Sequence, residues 1–454
     1  MSEVFCSINP YTQTKLSEFV RHSSAQVDAC LGEMESSFSS WRLSSLSERQ
    51  ELLMSLHDSL LSKKNLFAEL ISLEMGKPIA QSLAEIEKSA SVCRFYAERA
   101  EEILQPRRPM KEAQVLLRPL GILLMVMPWN FPFWQVFRVL APNLLLGNIL
   151  ALKHASNVPG CAQAVENLFS ELNVGSKLFA NFFLDANEVE KLIADPRVAA
   201  VTLTGSTEAG RHVAMAAARN LKKSVLELGG SDPYVILEDA DLDQAAKICA
   251  QSRLINTGQS CIAAKRFIVQ RNVHDDFVEK FREELFSFEQ GNPLEMKSNL
   301  GPLARIELSS ELESQVNQSL QAGAQCYVNE RTKREGALYP TTLLTNVRKG
   351  MRVYDEEVFG PVAAVIEAES EEEAIKFAND SSFGLGSAIF TQNREKAIRL
   401  AENEIEAGMV FINDFVRSDP RLEFGGIKHS GYGRELGLMG LFEFANVKSI
   451  VSGA

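Results

Sequence analysis

The chain has 454 residues, of which 45% are hydrophobic and 23% are charged, and its formal net charge is -12 at pH 7. This length predicts two or three domains, since one domain usually spans about 100–200 residues, and the composition is that of an ordinary globular protein. The negative net charge argues against non-specific binding to nucleic acid or to an anionic membrane surface.

The N-terminal segment, MSEVFCSINPYTQTKLSEF, has no basic stretch followed by an apolar one, so we expect no signal peptide. The longest apolar run, GILLMVMP at 121–128, is far shorter than the ~20 residues that a membrane span needs. Seven widely spaced cysteines without a CxxC motif argue against a disulfide framework and against an all-cysteine zinc site. We therefore expect a cytoplasmic protein.

Residues 46–104 carry apolar side chains at three-to-four-residue spacing, which predicts helices interrupted between Gly76 and Pro78. From about residue 120 the pattern changes to short apolar runs that alternate with helical stretches, one of them at about 274–288. The runs predict buried strands at 121–128, 148–153, 199–205, 224–230, 232–239, 266–270, 361–368 and 387–392. Such alternation predicts an α/β fold with parallel sheets that are covered on both faces.

The strands fall into two groups, which predicts two α/β domains with a boundary near 228–235. The segments 112–121 and 444–451 are further β segments outside this pattern. We expect them to form an arm or a subunit contact.

Cys261, in NTGQSCIAAKR, follows a turn that contains glycine and precedes Lys265 and Arg266. Nearby cations lower the pKa of a thiol and so favour the reactive thiolate. The spacing alone does not separate this role from that of a buried structural cysteine, which is the more common one.

Three other segments carry candidate groups. Glu227 ends a strand-like run before two glycines, where it is either an ion-paired structural residue or a general base. Asn130 lies between two prolines after a strand, as a turn residue or as a donor to an oxyanion. Gly205 and Ser206 lie between a strand and a helix, where backbone N–H groups could bind a pyrophosphate, although the GxGxxG pattern is absent.

Together these segments resemble the aldehyde dehydrogenase superfamily. The motifs occur in the family's order as MPWNFP (127–132), VTLTGSTEAG (201–210), LELGG (226–230), NTGQSC (256–261), EEVFGP (356–361), NDSSFGLGSAIF (379–390) and FGGIKHSGYGRE (424–435). The resemblance extends over nearly the whole chain. It implies an aldehyde dehydrogenase-like α/β fold with three parts: a Rossmann-like NAD(P)-binding domain (1–103 and 122–227), an α/β catalytic domain (228–435) and a β oligomerisation arm (104–121 and 436–454).

The resemblance also implies roles for the catalytic residues. Cys261 would be the nucleophilic thiol, Glu227 the general base that activates water, and Asn130 the donor to the oxyanion. The aldehyde would be oxidised through a thioester on Cys261, which water then hydrolyses. The reaction needs no metal ion.

Cofactor-binding residues follow from the same motifs. Lys153 would hold the adenosine ribose, Gly205 and Ser206 the pyrophosphate, and Glu357 the nicotinamide ribose. Phe359 would lie beside the nicotinamide, and Trp129 and Leu228 would be further cofactor-binding residues.

The expected cofactor is NADP, with NAD possible. Many relatives that prefer NAD carry a glutamate three residues after the lysine, whereas this chain has Ser156 there. A hydroxyl does not repel a 2'-phosphate and can donate a hydrogen bond to it.

Within the family, the chain resembles the shorter bacterial type of succinate-semialdehyde dehydrogenase. Arg138, eight residues after Asn130, and Ser418 would bind the substrate carboxylate. A second arginine of some members is Ile255 here, and Arg253 and Arg417 lie near that position without occupying it. The expected partners are a small aldehyde and further copies of the chain, in a homodimer or homotetramer.

Other functions stay open at this point. The substrate could be another semialdehyde or an uncharged aliphatic aldehyde. Acyl transfer to coenzyme A is a second outcome, although relatives with that activity typically lack the base at the position of Glu227. A hydrolase that pairs Cys261 with a histidine is disfavoured because the six histidines are scattered. A catalytically silent binding or structural protein could also use this scaffold.

Overall fold

The computed structural model describes residues 4–172 and 174–453. Its helices, in chain order, are α1 (Ser24–Trp41), α2 (Leu46–Ser62), α3 (Lys64–Met75), α4 (Ile79–Glu98), α5 (Ala100–Leu104), α6 (Trp134–Leu146), α7 (Pro159–Leu172), α8 (Val189–Ala194), α9 (Thr207–Arg219), α10 (Leu242–Leu254), α11 (Arg271–Ser287), α12 (Ile306–Gln321), α13 (Arg352–Asp355), α14 (Glu371–Asn379), α15 (Arg394–Asn403) and α16 (Gly437–Glu443). No helix in this part of the chain is long and apolar enough to cross a membrane.

The strands of the same residues are β1 (Val4–Ile8), β2 (Lys15–Val20), β3 (Arg107–Met110), β4 (Ala113–Pro119), β5 (Ile122–Met127), β6 (Ile149–His154), β7 (Phe179–Asn181), β8 (Val198–Thr204), β9 (Lys223–Glu227), β10 (Pro233–Ile236), β11 (Arg266–Gln270), β12 (Gln325–Val328), β13 (Thr342–Thr345), β14 (Val362–Ala368), β15 (Phe383–Gly384), β16 (Gly386–Phe390), β17 (Met409–Ile412), β18 (Ile427–Lys428), β19 (Gly431–Tyr432) and β20 (Ala445–Val451). Every strand that we predicted from an apolar run is present, within a few residues of its expected ends.

A six-stranded sheet in the order β19-β9-β8-β5-β6-β7 forms the first half of the molecule. Strands β9, β8, β5, β6 and β7 are parallel, while the short β19 returns from near the C-terminus and pairs antiparallel with β9. The central strands are mostly apolar because helices cover both faces. The predicted parallel α/β sheet is confirmed here.

A seven-stranded sheet in the order β12-β13-β14-β11-β10-β16-β17 forms the second half. All neighbours in it are parallel except β12, which is an antiparallel edge strand. Two separate apolar cores, one on each face, bury its strands under the surrounding helices. The second predicted α/β unit is therefore confirmed as well.

An antiparallel sheet in the order β20-β4-β3 joins the two segments that we expected to form an arm. Ala113 pairs with Val451, and Pro119 pairs with Ala445, so the whole lengths of β4 and β20 are aligned. Val447, Ile450 and Val451 keep apolar side chains exposed on this sheet.

An N-terminal hairpin of β1 and β2 is a feature that the sequence analysis missed. Its residues are mostly exposed, so they lack the continuous apolar run by which the other strands were recognised. The hairpin packs through aromatic contacts, with the rings of Phe19 and Phe183 centred 5.2 Å apart.

Candidate active site

Strand ends of the first sheet bring several of the singled-out residues to one edge. Asn130 follows β5, Lys153 lies near the end of β6, Ser206 follows β8, and Glu227 ends β9. Because these strands are parallel neighbours, their carboxyl ends open on the same side of the sheet. Ligands of open α/β sheets bind at this edge.

The loop that carries Cys261 begins with a strained turn. Asn256, Thr257 and Gly258 all have left-handed backbone conformations, with φ of 51°, 56° and 76°. Such conformations cost free energy in residues other than glycine, so the surroundings must hold them. The Asn256 side-chain amide donates to the backbone oxygens of Asn130 (2.8 Å) and Gln259 (3.1 Å). These bonds tie the Cys261 loop to the segment of Asn130.

Cys261 lies where two cavities meet. One cavity has about 590 Å³ of empty space and the other about 860 Å³. Gln135 and Cys261 line both of them. A thiol at this junction can meet groups that enter from either side.

The smaller of the two cavities, here called the cofactor cavity, collects most residues that the resemblance assigned to NAD(P). Its lining includes Trp129, Asn130, Gly205, Ser206, Leu228, Glu357 and Phe359. The rings of Trp129 and Phe359 meet edge to face with their centres 5.8 Å apart. The Ser206 hydroxyl accepts a hydrogen bond from the N–H of Ala209 and caps helix α9.

Glu357 and Lys265 connect the cofactor cavity to the Cys261 loop. A Glu357 oxygen accepts from the N–H of Gly230 at 3.1 Å and lies 3.4 Å from the Lys265 ammonium. Lys265 is fully buried and donates to the backbone oxygens of Ser260 (3.0 Å) and Cys261 (2.5 Å). Sequence analysis noted Lys265 only as a nearby cation, whereas the structure makes it a support of the loop.

Lys153 lies near the end of β6, and Ser156 follows this strand by two residues. Burial lowers the pKa of Lys153, and Asp185 opposes this shift. No carboxylate in the described part of the chain forms an ion pair with its ammonium. Ser156 lines a separate small cavity together with His154 and Phe183.

The side chain of Asn130 is held in one orientation. Its oxygen accepts from Gln135 Nε2 at 3.0 Å, and its Nδ2 donates to the backbone oxygen of Gln259 at 3.0 Å. A primary amide has two N–H groups, so the second one is left for a group in the cofactor cavity. Gln135 therefore positions this amide, a role that the sequence analysis did not foresee.

The thiol of Cys261 is partly exposed, but the protein that surrounds it displaces most water. Burial raises its pKa to about 12, while Lys265 and Arg138 act in the opposite direction without outweighing it. Lys265 thus lowers the pKa of this thiol, as expected of a nearby cation, but desolvation of the thiolate is the larger effect and the net shift is upward.

Glu227 is buried at the end of β9, with only 2% of the residue exposed. Leu228 and Gly229 line the cofactor cavity, but Glu227 is not among the described residues that line either one. A methyl group added to Gly425 would lie 2.7 Å from Glu227 Oε1. Burial, followed by the charge of Glu435, holds the pKa of Glu227 well above its usual range.

The larger cavity, here called the substrate cavity, includes Arg138 and Ser418 in its wall. The Arg138 guanidinium is only 2% exposed, forms an ion pair with Glu435 and donates to Thr204 Oγ1 at 3.0 Å. Ser418 Oγ accepts from Lys88 Nζ at 2.7 Å. The positive charge of Arg138 is thus already matched by a protein carboxylate.

The positions around the missing second arginine are now clear. Ile255 lines the substrate cavity, so an apolar side chain stands where some relatives have a cation. Arg253 is fully buried and donates to the Gly258 backbone oxygen at 2.7 Å, which removes it from the candidates for substrate binding. Arg417 lines the cavity but pairs with Asp414 at 2.6 Å.

Lys88 also lines the substrate cavity, although no sequence motif had singled it out. It lies on α4 with Gln81, Ala84 and Glu85, at helical spacing, and all four line the substrate cavity. The spacing could have grouped them on one face, but nothing in the sequence indicated that this face borders a cavity.

Comparisons with known proteins agree with this arrangement. The model of the Aldehyde dehydrogenase family matches residues 1–450. A relative from Synechocystis sp., named probable succinate-semialdehyde dehydrogenase [NADP(+)], is 45% identical over 448 residues that cover 98% of both chains. A relative from Escherichia coli K12, named succinate semialdehyde dehydrogenase [NAD(P)+], is 42% identical over 98% of this chain and 97% of its own.

A solved structure extends the agreement to three dimensions. The succinic semialdehyde dehydrogenase from Streptococcus pyogenes, in complex with NADP+, superposes with a TM-score of 0.96 and 37% identity. The match covers 99% of this chain and 100% of the other. On the sequence, the fold and the arrangement of these motifs, the chain belongs to the aldehyde dehydrogenase family.

Proposed function

We propose that this protein oxidises succinate semialdehyde to succinate with NADP+ as the oxidant. The observation that carries the proposal is the position of Cys261, at the junction of a cavity lined by the cofactor motifs and a second cavity lined by cations. The names of the relatives from Synechocystis and Streptococcus pyogenes support both the substrate and the cofactor.

The residues at the sheet edge fit a dinucleotide phosphate. The N-terminus of α9, capped by Ser206, directs backbone N–H groups at the cofactor cavity, where a pyrophosphate would bind. Lys153, without an ion-pair partner among the described residues, and Ser156 would hold the adenosine ribose and its 2'-phosphate. Glu357 would accept from the nicotinamide ribose. When bound, NADP+ supplies the hydride acceptor for the oxidation.

The chain's own residues carry the remaining chemistry. The Cys261 thiolate adds to the aldehyde carbon, and the free N–H of the Asn130 amide, with the backbone N–H of Cys261, stabilises the oxyanion. After oxidation the acyl group is held as a thioester on Cys261. Water then hydrolyses this thioester to the acid.

Glu227 is the proposed base for that hydrolysis. Its raised pKa suits a group that takes a proton from water, but its carboxylate must first turn from Gly425 toward Cys261. A group that activates water also favours hydrolysis over transfer of the acyl group to coenzyme A.

The test is a steady-state comparison of aldehydes and cofactors. Succinate semialdehyde, glutarate semialdehyde and butanal are each oxidised with NADP+ and with NAD+, with and without coenzyme A. We expect the highest kcat/KM for succinate semialdehyde with NADP+, and the free carboxylic acid of each aldehyde as its product, with or without coenzyme A. Equal kcat/KM for butanal and succinate semialdehyde would contradict the proposed substrate.

The same proposal covers the organisation of the molecule. Residues 1–103 and 122–227 would form the NAD(P)-binding domain, 228–435 the catalytic domain, and 104–121 with 436–454 an oligomerisation arm. The exposed apolar residues Val447, Ile450 and Val451 on an edge strand support pairing between copies, as a homodimer or homotetramer. The seven cysteines are all free thiols in the described residues, as a reducing cytoplasm would keep them.

A further inference from the structure

Three cationic side chains, Lys88, Arg138 and Arg417, line the substrate cavity. Two of them already have a carboxylate partner. Arg138 forms a buried ion pair with Glu435, and Arg417 pairs with Asp414. A substrate carboxylate would have to share these cations with a protein carboxylate.

Lys88 differs from the two arginines. Its Nζ donates to Ser418 Oγ at 2.7 Å and lies 4.3 Å from the centre of the Trp134 ring. Within residues 4–172 and 174–453, no carboxylate forms an ion pair with it. It is therefore the cavity cation whose charge is met only by a hydroxyl and an aromatic ring.

The two acidic residues that act on Lys88 at longer range are engaged elsewhere. Asp419 accepts two hydrogen bonds from the Arg421 guanidinium, and Glu85 pairs with the buried Lys77. Glu85 also accepts from the backbone N–H groups of Phe133 and Trp134. Neither carboxylate is available to neutralise the Lys88 ammonium.

We propose that Lys88, together with the Ser418 hydroxyl, binds the carboxylate at the far end of the aldehyde and selects acid-bearing substrates. An ammonium has three N–H donors, of which Ser418 takes one, so two remain for the carboxylate. Ser418 accepts from Lys88 and is therefore free to donate its own hydrogen. The inference rests on the proposed function and names the residue that gives it its specificity.

Arg138 then acts as a positioning residue. Its charge, shared with Glu435, adds to the positive field of the cavity, and its bond to Thr204 holds the wall in place. The first contact with the carboxylate belongs to Lys88, which no motif of the sequence had marked.

The test compares Lys88→Met, Lys88→Arg and the wild type with succinate semialdehyde and with butanal. Loss of a charge-assisted contact predicts that Lys88→Met lowers kcat/KM for succinate semialdehyde by about 10- to 100-fold, mainly through KM. Butanal should change by less than about threefold in kcat/KM, because it has no carboxylate. Lys88→Arg should keep most of the preference, since it restores the charge.

The matched control is Lys64→Met, which makes the same change on the surface, in an ion pair with Glu87. Lys64→Met should change kcat/KM for neither aldehyde. Ser418→Ala is a second, milder variant in case Lys88→Met does not fold. It should lower kcat/KM for succinate semialdehyde and leave that for butanal nearly unchanged. Inhibition of butanal oxidation by succinate supplies a readout without turnover of the acid: its inhibition constant should rise about tenfold or more in Lys88→Met.

The outcomes separate the two proposals. If the wild type shows no preference for succinate semialdehyde over butanal, the proposed substrate is wrong. If the wild type shows the preference and Lys88→Met keeps it, or if Arg417→Met alone removes it, the assignment to Lys88 is overturned while the function stands. Equal losses with both aldehydes would mean that Lys88 has only a structural role.

Discussion

Arg138 and Glu435 form an ion pair whose side chains are 2% and 3% exposed, at the point where the first sheet meets the substrate cavity. The charges of this pair also act on Glu227 in the site, because Glu435 raises and Arg138 lowers the pKa of the Glu227 carboxyl group. A change in either partner should therefore affect both stability and catalysis.

Arg138→Met should lower the free energy of unfolding by about 3–5 kcal/mol, since it leaves Glu435 buried without a counter-charge. It should lower kcat/KM for butanal and succinate semialdehyde alike, because the damage is to the wall of the site. Urea unfolding and steady-state kinetics measure the two effects. In Arg138→Met/Glu435→Gln, part of the lost stability should return. A loss confined to acid-bearing aldehydes, at unchanged stability, would contradict this role.

The pKa of Cys261, about 12, predicts how the free enzyme reacts with iodoacetamide. The thiolate fraction, and with it the alkylation rate at Cys261, should rise about tenfold per pH unit from pH 7 to pH 10. Mass spectrometry of the peptide with Cys261 is needed, because Cys6 is exposed and reacts independently. Lys265→Met should slow the reaction further. A plateau below pH 9 would show that the thiol ionises earlier than its burial implies.

Lys88 gives a second dependence on pH. Burial lowers its pKa to about 8, and the charges of Arg138 and Arg417 act in the same direction, against Asp419 and Glu85. The Lys88 side chain carries its positive charge below this pH and loses it above this pH. The ratio of kcat/KM for succinate semialdehyde to that for butanal should therefore fall between pH 7.5 and 9.5. In Lys88→Arg this ratio should not change over the same pH range. If the ratio falls equally in the wild type and in Lys88→Arg, the prediction is contradicted.

Ser156→Glu should reverse the preference for the cofactor. A carboxylate beside the 2'-phosphate adds like-charge repulsion of several kcal/mol, so kcat/KM for NADP+ should fall by about 100-fold or more. The value for NAD+ should change far less. Ser156→Ala, which removes the hydroxyl without adding charge, should have a smaller effect on NADP+. Unchanged discrimination in Ser156→Glu would place the 2'-phosphate elsewhere.

Gly258→Ala should disturb the Cys261 loop. An added methyl group would overlap the backbone oxygen of Gly360, and φ at this residue is 76°. We expect a loss of activity with every aldehyde and a lower melting temperature. Gly336→Ala is the matched control, since its φ is 58° but its added methyl group meets nothing within 4 Å. Similar effects of both substitutions would mean that backbone strain alone, rather than the clash, decides the outcome.

Much of the fold could be predicted because buried strands have a plain signature. β5 is apolar over its whole length and β14 is apolar except for the exposed Glu367, since helices cover both faces of their sheets. The hairpin of β1 and β2 has no such run, and its pairing depends on contacts with Phe183, far away in the sequence. Local patterns do not contain that information.

The candidate site divides in the same way. The sequence motifs allowed us to predict that Cys261, Asn130 and Glu357 lie in one site, because a motif in a loop that follows a strand fixes where that loop lies in the fold. The orientation of Glu227 toward Gly425 and the pairing of Arg138 with Glu435 depend on residues about 200 or more positions away. The role proposed for Lys88 depends on which charges remain unmatched after folding, which no segment determines by itself.

The two cavities have Gln135 and Cys261 in common among their lining residues, and this has a kinetic consequence. Molecules that approach the sulfur from opposite sides do not share a route. A dinucleotide in the cofactor cavity and an acyl group in the substrate cavity would therefore enter and leave by separate routes. The shapes of the two cavities therefore do not require one product to leave before the other.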